Sequence, residues 1–150
     1  MVRSLEGKHP QYYEAILQLR DVASDVVDFV NKEIMIQRIP VSKKDDVRNG
    51  SDYYLADSNF ARSLGTKLQH RFGGEMIITS TLHTKKQGKD LYRITVLFRV
   101  APFRKYDKVE YQGEEFDVKA MAKDIVLQNT KTGKKVRVKY KEMNAIKKLK

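Results

Sequence analysis

Apolar positions recur along this chain with two different periods, and the switches between them mark out its elements. In Tyr12-Tyr-Glu-Ala-Ile-Leu-Gln-Leu-Arg20 aromatic and aliphatic residues partly alternate with polar ones, which predicts a strand. Val22, Val26, Phe29 and Val30 then follow at steps of four, three and one, which gathers them on one helical face. Asp21 stands where the N-cap of that helix belongs, and the helix should run to Lys32 or Ile36. Pro40 lies beyond it, and Ile39-Pro-Val41 reads as extended chain. Lys43 to Gly50 is polar, with an Asn49-Gly50 turn signal. Asp52-Tyr-Tyr-Leu55 predicts a short strand, and Asp57 or Ser58 caps a second helix. Phe60, Ala61, Leu64, Leu68 and Phe72 line the buried face of that helix, and Gly73-Gly74 ends it. Residues 76–82 and 91–98 are β-rich and read as a hairpin, with Lys85, Lys86, Gly88 and Lys89 at its tip.

The order is therefore β-α-β-α-β-β, an α+β layer with helices on one face of an antiparallel or mixed sheet. Pro102 falls where this pattern breaks. Short β-rich runs follow it at residues 108–112, 115–119, 124–128 and 135–140, separated by turns at Gly113 and Thr132-Gly133. Such spacing predicts a small SH3-like or OB-like β-barrel. The expected division is an α/β sheet domain over 1–100 and a small basic β-barrel domain over 101–150. Fifty residues make a marginal core alone, so the barrel is expected to pack on the first unit.

Composition narrows the class. The chain has 150 residues, 41% hydrophobic and 33% charged, which fits neither a disordered nor a membrane-embedded protein. No apolar run exceeds four residues, against roughly 20 for a membrane span. The first residues lack the apolar core of a signal peptide, so a cytoplasmic protein is expected. The net charge of +11 is unevenly spread. Residues 1–100 carry sixteen basic groups against twelve acidic, whereas 131–150 carry nine against Glu142 alone. A surplus gathered at one end is the footprint of a polyanion binder, most often a nucleic acid.

Enzyme templates mostly fail. There is no cysteine, which removes thiol catalysis, and His9, His70 and His83 have no metal-ligand spacing. Gly133-Lys134-Lys135 looks like the end of a phosphate loop, but position 128 is Gln and Lys135 replaces the Ser or Thr that binds magnesium. Asp21, Asp25 and Asp28 sit at i, i+4 and i+7 near a helix start, where acids are favoured without any chemistry. The basic groups are the better candidates. Lys85, Lys86 and Lys89 mark the hairpin, and Arg104 and Lys105 follow the break at Pro102. Lys131 and Lys134 flank the Thr132-Gly133 turn, and alternation puts Lys135, Arg137 and Lys139 on one face of a strand. These ten residues are the predicted RNA-binding set, on the argument that cations in register can track a phosphate backbone. Arg62, Lys67 and Arg71 form no clean stripe on the second helix; Lys67 and Arg71 border its apolar face, where snorkelling over the core accounts for them as well as a phosphate contact does. No catalytic residue, metal or cofactor is expected.

The stretch Asn49-Gly-Ser-Asp-Tyr-Tyr-Leu-Ala-Asp-Ser-Asn-Phe-Ala-Arg-Ser-Leu-Gly65 resembles the NMD-three family. So do Tyr12-Tyr-Glu-Ala-Ile-Leu-Gln-Leu-Arg20 and Leu91-Tyr-Arg-Ile-Thr-Val-Leu-Phe-Arg99. That family includes the eukaryotic export adaptor of the large ribosomal subunit and its archaeal homologues, and the resemblance is to the archaeal kind. Its members carry an N-terminal module of CxxC pairs that binds zinc; with no cysteine here, nothing belonging to that module carries over. The basic β-rich end is similar to the SH3-like part of translation elongation factor five-A. The resemblance implies a non-enzymatic protein that docks on the large subunit during maturation or quality control. Its expected partners are large-subunit ribosomal RNA and ribosomal proteins, with no membrane and no small-molecule substrate. The alternative is a protein–protein adaptor whose basic surface meets an acidic partner without touching RNA.

Overall fold

A computed structural model of the protein describes residues 12–86 and 89–149, with 83–86 and 89–91 described by backbone alone. The described residues form two compact units, 12–67 with 76–99 and 68–75 with 100–149. Both are sheet-based, and the α-helices are few.

The first unit holds β1 (Ala15–Arg20), α1 (Ser24–Gln37), β2 (Val41–Val47), β3 (Gly50–Leu55), α2 (Ser58–Phe72) as far as Lys67, β4 (Gly74–Lys86) from Met76 and β5 (Lys89–Val100) to Arg99; the end of α2 and the start of β4 belong to the second. The strands lie in the order β2-β3-β1-β5-β4. β1 runs antiparallel to β3 and parallel to β5, so the sheet is mixed. Alternation decides which side is core. Ala15, Leu17, Leu19, Tyr53, Leu55, Ile94, Val96 and Phe98 are buried, and both helices lie on that side. From α1, the Asn31 side chain accepts the Tyr53 hydroxyl at 2.8 Å. From α2, Gly65 comes so close that an added Cβ would stand 2.8 Å from Val96 Cγ1. The Asp57 carboxylate caps α2 by accepting the Phe60 N–H at 3.0 Å, and Gly73, at φ 75°, ends it as the Gly-Gly signal predicts.

Three expectations for this unit need correction. The first helix starts at Ser24 with Ala23 as its N-cap, not at Asp21. Asp21 instead ends β1 in the left-handed region at φ 57°, where its N–H donates to the Asn49 carbonyl at 2.8 Å. Aspartate tolerates that conformation better than most residues, so the position the pattern marks as a cap serves as a strand stop. The polar stretch after Pro40 is also a strand, which makes the order β-α-β-β-α-β-β. Val-Ser-Lys-Lys-Asp-Asp-Val escapes a hydrophobic reading because β2 is an edge strand, where charges discourage pairing with other chains. The β4–β5 pair is longer than expected too. Lys85, Lys86 and Lys89 fall within strands, not in a loop.

In the second unit the strands are β6 (Lys108–Tyr111), β7 (Glu114–Met121), β8 (Ile125–Asn129), β9 (Lys135–Val138) and β10 (Lys147–Lys148). They form an antiparallel sheet in the order β10-β6-β7-β8-β9. Its core gathers Phe103, Val109, Phe116, Val118, Ile125, Leu127 and Val138. A 3-10 helix, Tyr140–Ala145, interrupts the expected continuation of β9. The reason is spacing: Tyr140, Met143 and Ile146 are all buried in the same core, and a repeat of three suits a 3-10 turn, not a strand. β9 and β10 share no ladder among the described residues, so the expected closed barrel is not found. The buried Tyr140 hydroxyl has no hydrogen-bond partner among the described residues. Burial, and then the charge of Asp124, pushes its pKa up to about 12.

Candidate nucleic-acid interface

β9 is an edge strand, bonded on one side to β8. Its alternation follows the sequence reading: Lys135 and Arg137 are exposed, Val136 is half-buried and Val138 is buried. The strand stops at Val138, but Lys139 keeps an extended backbone (φ −76°, ψ 148°) and is also exposed. Lys135, Arg137 and Lys139 therefore make one row. Register shows how wide the row is. Lys135 stands opposite Gln128, Gln128 opposite Asp117, and Asp117 opposite Lys108. Across the sheet the sequence is cation, amide, carboxylate, cation. The positive surface is a strip along one edge, not a whole face.

The turn that leads into the strip is held in place by hydrogen bonds. Asn129 is buried at 8% exposure, and its side-chain carbonyl accepts the N–H groups of Lys131 at 2.8 Å and Thr132 at 3.0 Å. The Asn129 N–H donates to the Lys134 carbonyl at 2.8 Å, and the Gly133 N–H donates to the Asn129 carbonyl at 2.9 Å. Gly133 takes φ 75°, a conformation open to glycine at little cost. Lys134 thus enters β9 from a fixed turn. Lys131 lines a cavity of about 460 Å³ together with Glu110, Glu114 and Glu115, so carboxylates offset its charge. Among the described residues Lys131, Lys134, Lys135 and Lys139 make no ion pair, and Arg137 has only Asp124 at 4.0 Å.

Arg104 and Lys105 belong to a second basic group. They line a cavity of about 430 Å³ with His70 and Arg71 from the end of α2 and with Ala120, Met121 and Ala122 from β7 and its turn. The sequence reading sets His70 and Arg71 aside, the one as a metal ligand and the other as a phosphate contact, but in the fold both are candidates here. A helix C-terminus attracts basic residues on its own account, so nothing along the chain distinguishes them; only the fold brings them to Arg104. The turn from Arg104 to Asp107 holds Tyr106 at φ 76° and 74% exposed, with Lys105 Nζ 5.0 Å from its ring centroid. A bulky residue in the left-handed region is an outlier of the sort that gathers at binding sites. Lys85 and Lys86 close β4 and Lys89 opens β5; their side chains lie outside the described residues.

The aspartates of the first helix region stay apart from this chemistry. Asp21, Asp25 and Asp28 are exposed. Asp25 accepts the Val26 N–H at 2.9 Å, and Asp21 faces Arg99 at 3.7 Å. Among the described residues no group of three or more His, Asp or Glu side chains is placed to hold a metal, and no helix is long and apolar enough to cross a membrane.

No curated protein matches the chain. The family model for the second domain of NMD3 matches residues 12–100, which is more than half of the sequence and spans each segment that carries the resemblance. The match covers β1 through β5, including the Asn49-Gly50 hairpin and the capped helix at Asp57. The chain belongs to the NMD3 family.

Proposed function

We propose that this protein is a non-enzymatic, ribosome-associated RNA binder that docks on the large ribosomal subunit in the cytoplasm during maturation or quality control. Family membership supports the ribosomal setting. The observation that carries the RNA contact is the row of Lys135, Arg137 and Lys139, whose two lysines make no ion pair among the described residues, presented by an edge strand that follows a hydrogen-bonded turn. Side chains fixed in register by a strand lose less freedom on meeting phosphates than those of a mobile loop. Phosphate contacts of this kind position a protein on RNA without reading its sequence. The strip serves edge protection as well, since lysines on an outer strand also keep sheets from pairing; the two roles are compatible.

The meander of β6 to β9, with a 3-10 helix handing the chain to β10, supports an SH3-like reading of residues 101–150. On that reading residues 1–100 and 101–150 act as separate units, the second supplying most of the phosphate contacts. Co-sedimentation with large subunits across a salt series tests the proposal. Binding should weaken steeply with salt, because each phosphate contact releases counterions. Failure to sediment with large subunits at low salt would end this reading. Binding to subunits but not to their isolated RNA would favour an adaptor that meets acidic protein.

A further inference from the structure

The face of the first sheet turned away from the helices carries two tyrosines and two cations in one cluster. A bend at Glu14 turns Tyr13 onto this face, where its ring meets Tyr54 edge-on with centroids 4.9 Å apart. The Arg93 guanidinium lies over Tyr13 at 3.8 Å from the ring centroid, and Arg93 Nε donates to the Tyr13 carbonyl at 3.2 Å. Lys43 Nζ lies 5.4 Å from the Tyr54 centroid. Tyr13 stands between two shallow cavities. One, of about 490 Å³, is lined by Tyr13, Tyr54, Lys43 and Ser42. The other, of about 260 Å³, has Arg93, Thr81 and Thr95 in its wall. β2 changes register between Val41 and Lys43, so a bulge falls at Ser42 beside the first cavity.

We infer that this face is a binding site for single-stranded RNA, with bases against the Tyr13 and Tyr54 rings and phosphates at Arg93 and Lys43. The inference rests on the reading of the protein as an RNA binder but concerns the other unit and a different chemistry. Stacking platforms flanked by cations are what a flexible, unpaired strand needs, since every base has a π-face and every linkage a negative charge. Charge favours this occupant. Arg93 has no carboxylate partner among the described residues, and the Lys43–Asp45 pair at 3.3 Å is exposed on both sides and therefore weak. Hydroxyls at Ser42, Thr81 and Thr95 can donate to or accept from base edges.

The test compares a fluorescent oligouridylate with an abasic chain of the same length and charge, bound by the full chain. The native protein should prefer the oligouridylate. Replacing both rings, Tyr13→Leu with Tyr54→Leu, should weaken it by about thirtyfold or more and leave the abasic chain unaffected. Tyr13→Phe with Tyr54→Phe keeps the rings and should bind like the native protein, which separates stacking from a folding defect. Equal binding of the two chains by native protein would overturn the inference. So would native-like binding by the leucine pair. Lys135, Arg137 and Lys139 reversed to Glu should lose large-subunit RNA yet keep the preference for bases. Loss of that preference in the reversed variant would show there is no separate site. Absence of any RNA binding would remove both readings.

Discussion

The side-chain carbonyl of Asn129 accepts the backbone N–H of Lys131 at 2.8 Å from a buried position beneath the β8–β9 turn. This bond joins the core of the second unit to its charge. Asn129 takes a place in the sheet that would otherwise go to an apolar residue, paired with Phe116 across the ladder. It spends its polarity on holding the turn that delivers Lys134 and Lys135. Asn129→Ala should therefore lower stability by about 1–3 kcal/mol, since two turn N–H groups lose their acceptor. It should also weaken RNA binding beyond what the lost stability accounts for. A urea titration paired with an RNA titration checks both; full binding by the folded variant would show that the turn need not be fixed.

Tyr140 gives a pH prediction. Its hydroxyl is held neutral by burial, with a pKa raised from 10.0 to about 12. An unfolded chain would ionise this group near 10, so the stability linked to it is whole below pH 10 and falls away as pH rises towards 12. The slope is at most about 1.4 kcal/mol per pH unit over that window. Tyr140→Phe removes both the titration and an unsatisfied buried hydroxyl. The variant should match or exceed native stability at neutral pH, by up to about 1 kcal/mol, and should lose stability less steeply above pH 10. Urea midpoints at neutral and alkaline pH check it; a large destabilisation at neutral pH would mean the hydroxyl has a partner.

Gly50 is fixed by contact, not by its backbone angles. A Cβ there would stand 1.7 Å from the Leu19 carbonyl oxygen, inside the β1–β3 ladder. Gly50→Ala should cost roughly 2–4 kcal/mol, because backbone and not a flexible side chain must move. Thermal unfolding checks this, and a change below 0.5 kcal/mol, about the scale of a neutral surface substitution, would contradict the register.

The basic cavity at the end of α2 predicts a second loss. Arg104→Glu with Lys105→Glu should weaken binding to large-subunit RNA, and adding Arg71→Glu should weaken it further. An electrophoretic mobility series across the three proteins checks this. Unchanged affinity in all of them would confine phosphate contact to the β9 edge.

What the sequence makes legible follows its periods. Val26 and Val30, Ala61, Leu64 and Leu68, and the alternation of β9 are readable because each element buries one face and wets the other. β2 is not, since an edge strand made of Lys-Lys-Asp-Asp has no apolar face to betray it. Asp21 misleads because strand stops and helix caps favour the same residue for related reasons. The 3-10 helix hides in a spacing of three, too short a run to separate from a strand. At the site, Lys135, Arg137 and Lys139 are visible from alternation alone. His70 and Arg71, and the pairing of Tyr13 with Arg93, depend on contacts between segments distant in sequence, which no local pattern records.

On the proposed function the strip from Lys134 to Lys139 meets phosphate directly. The log–log salt dependence of binding to isolated large-subunit RNA, without ribosomal proteins, tests it for native protein and for Lys135, Arg137 and Lys139 reversed to Glu. If each cation neutralises one phosphate, the slope should flatten by about 2–3 in the folded variant, and affinity should drop further than in Lys85, Lys86 and Lys89 reversed to Glu. An unchanged slope, or a greater loss from the reversed β4–β5 lysines, would contradict the account.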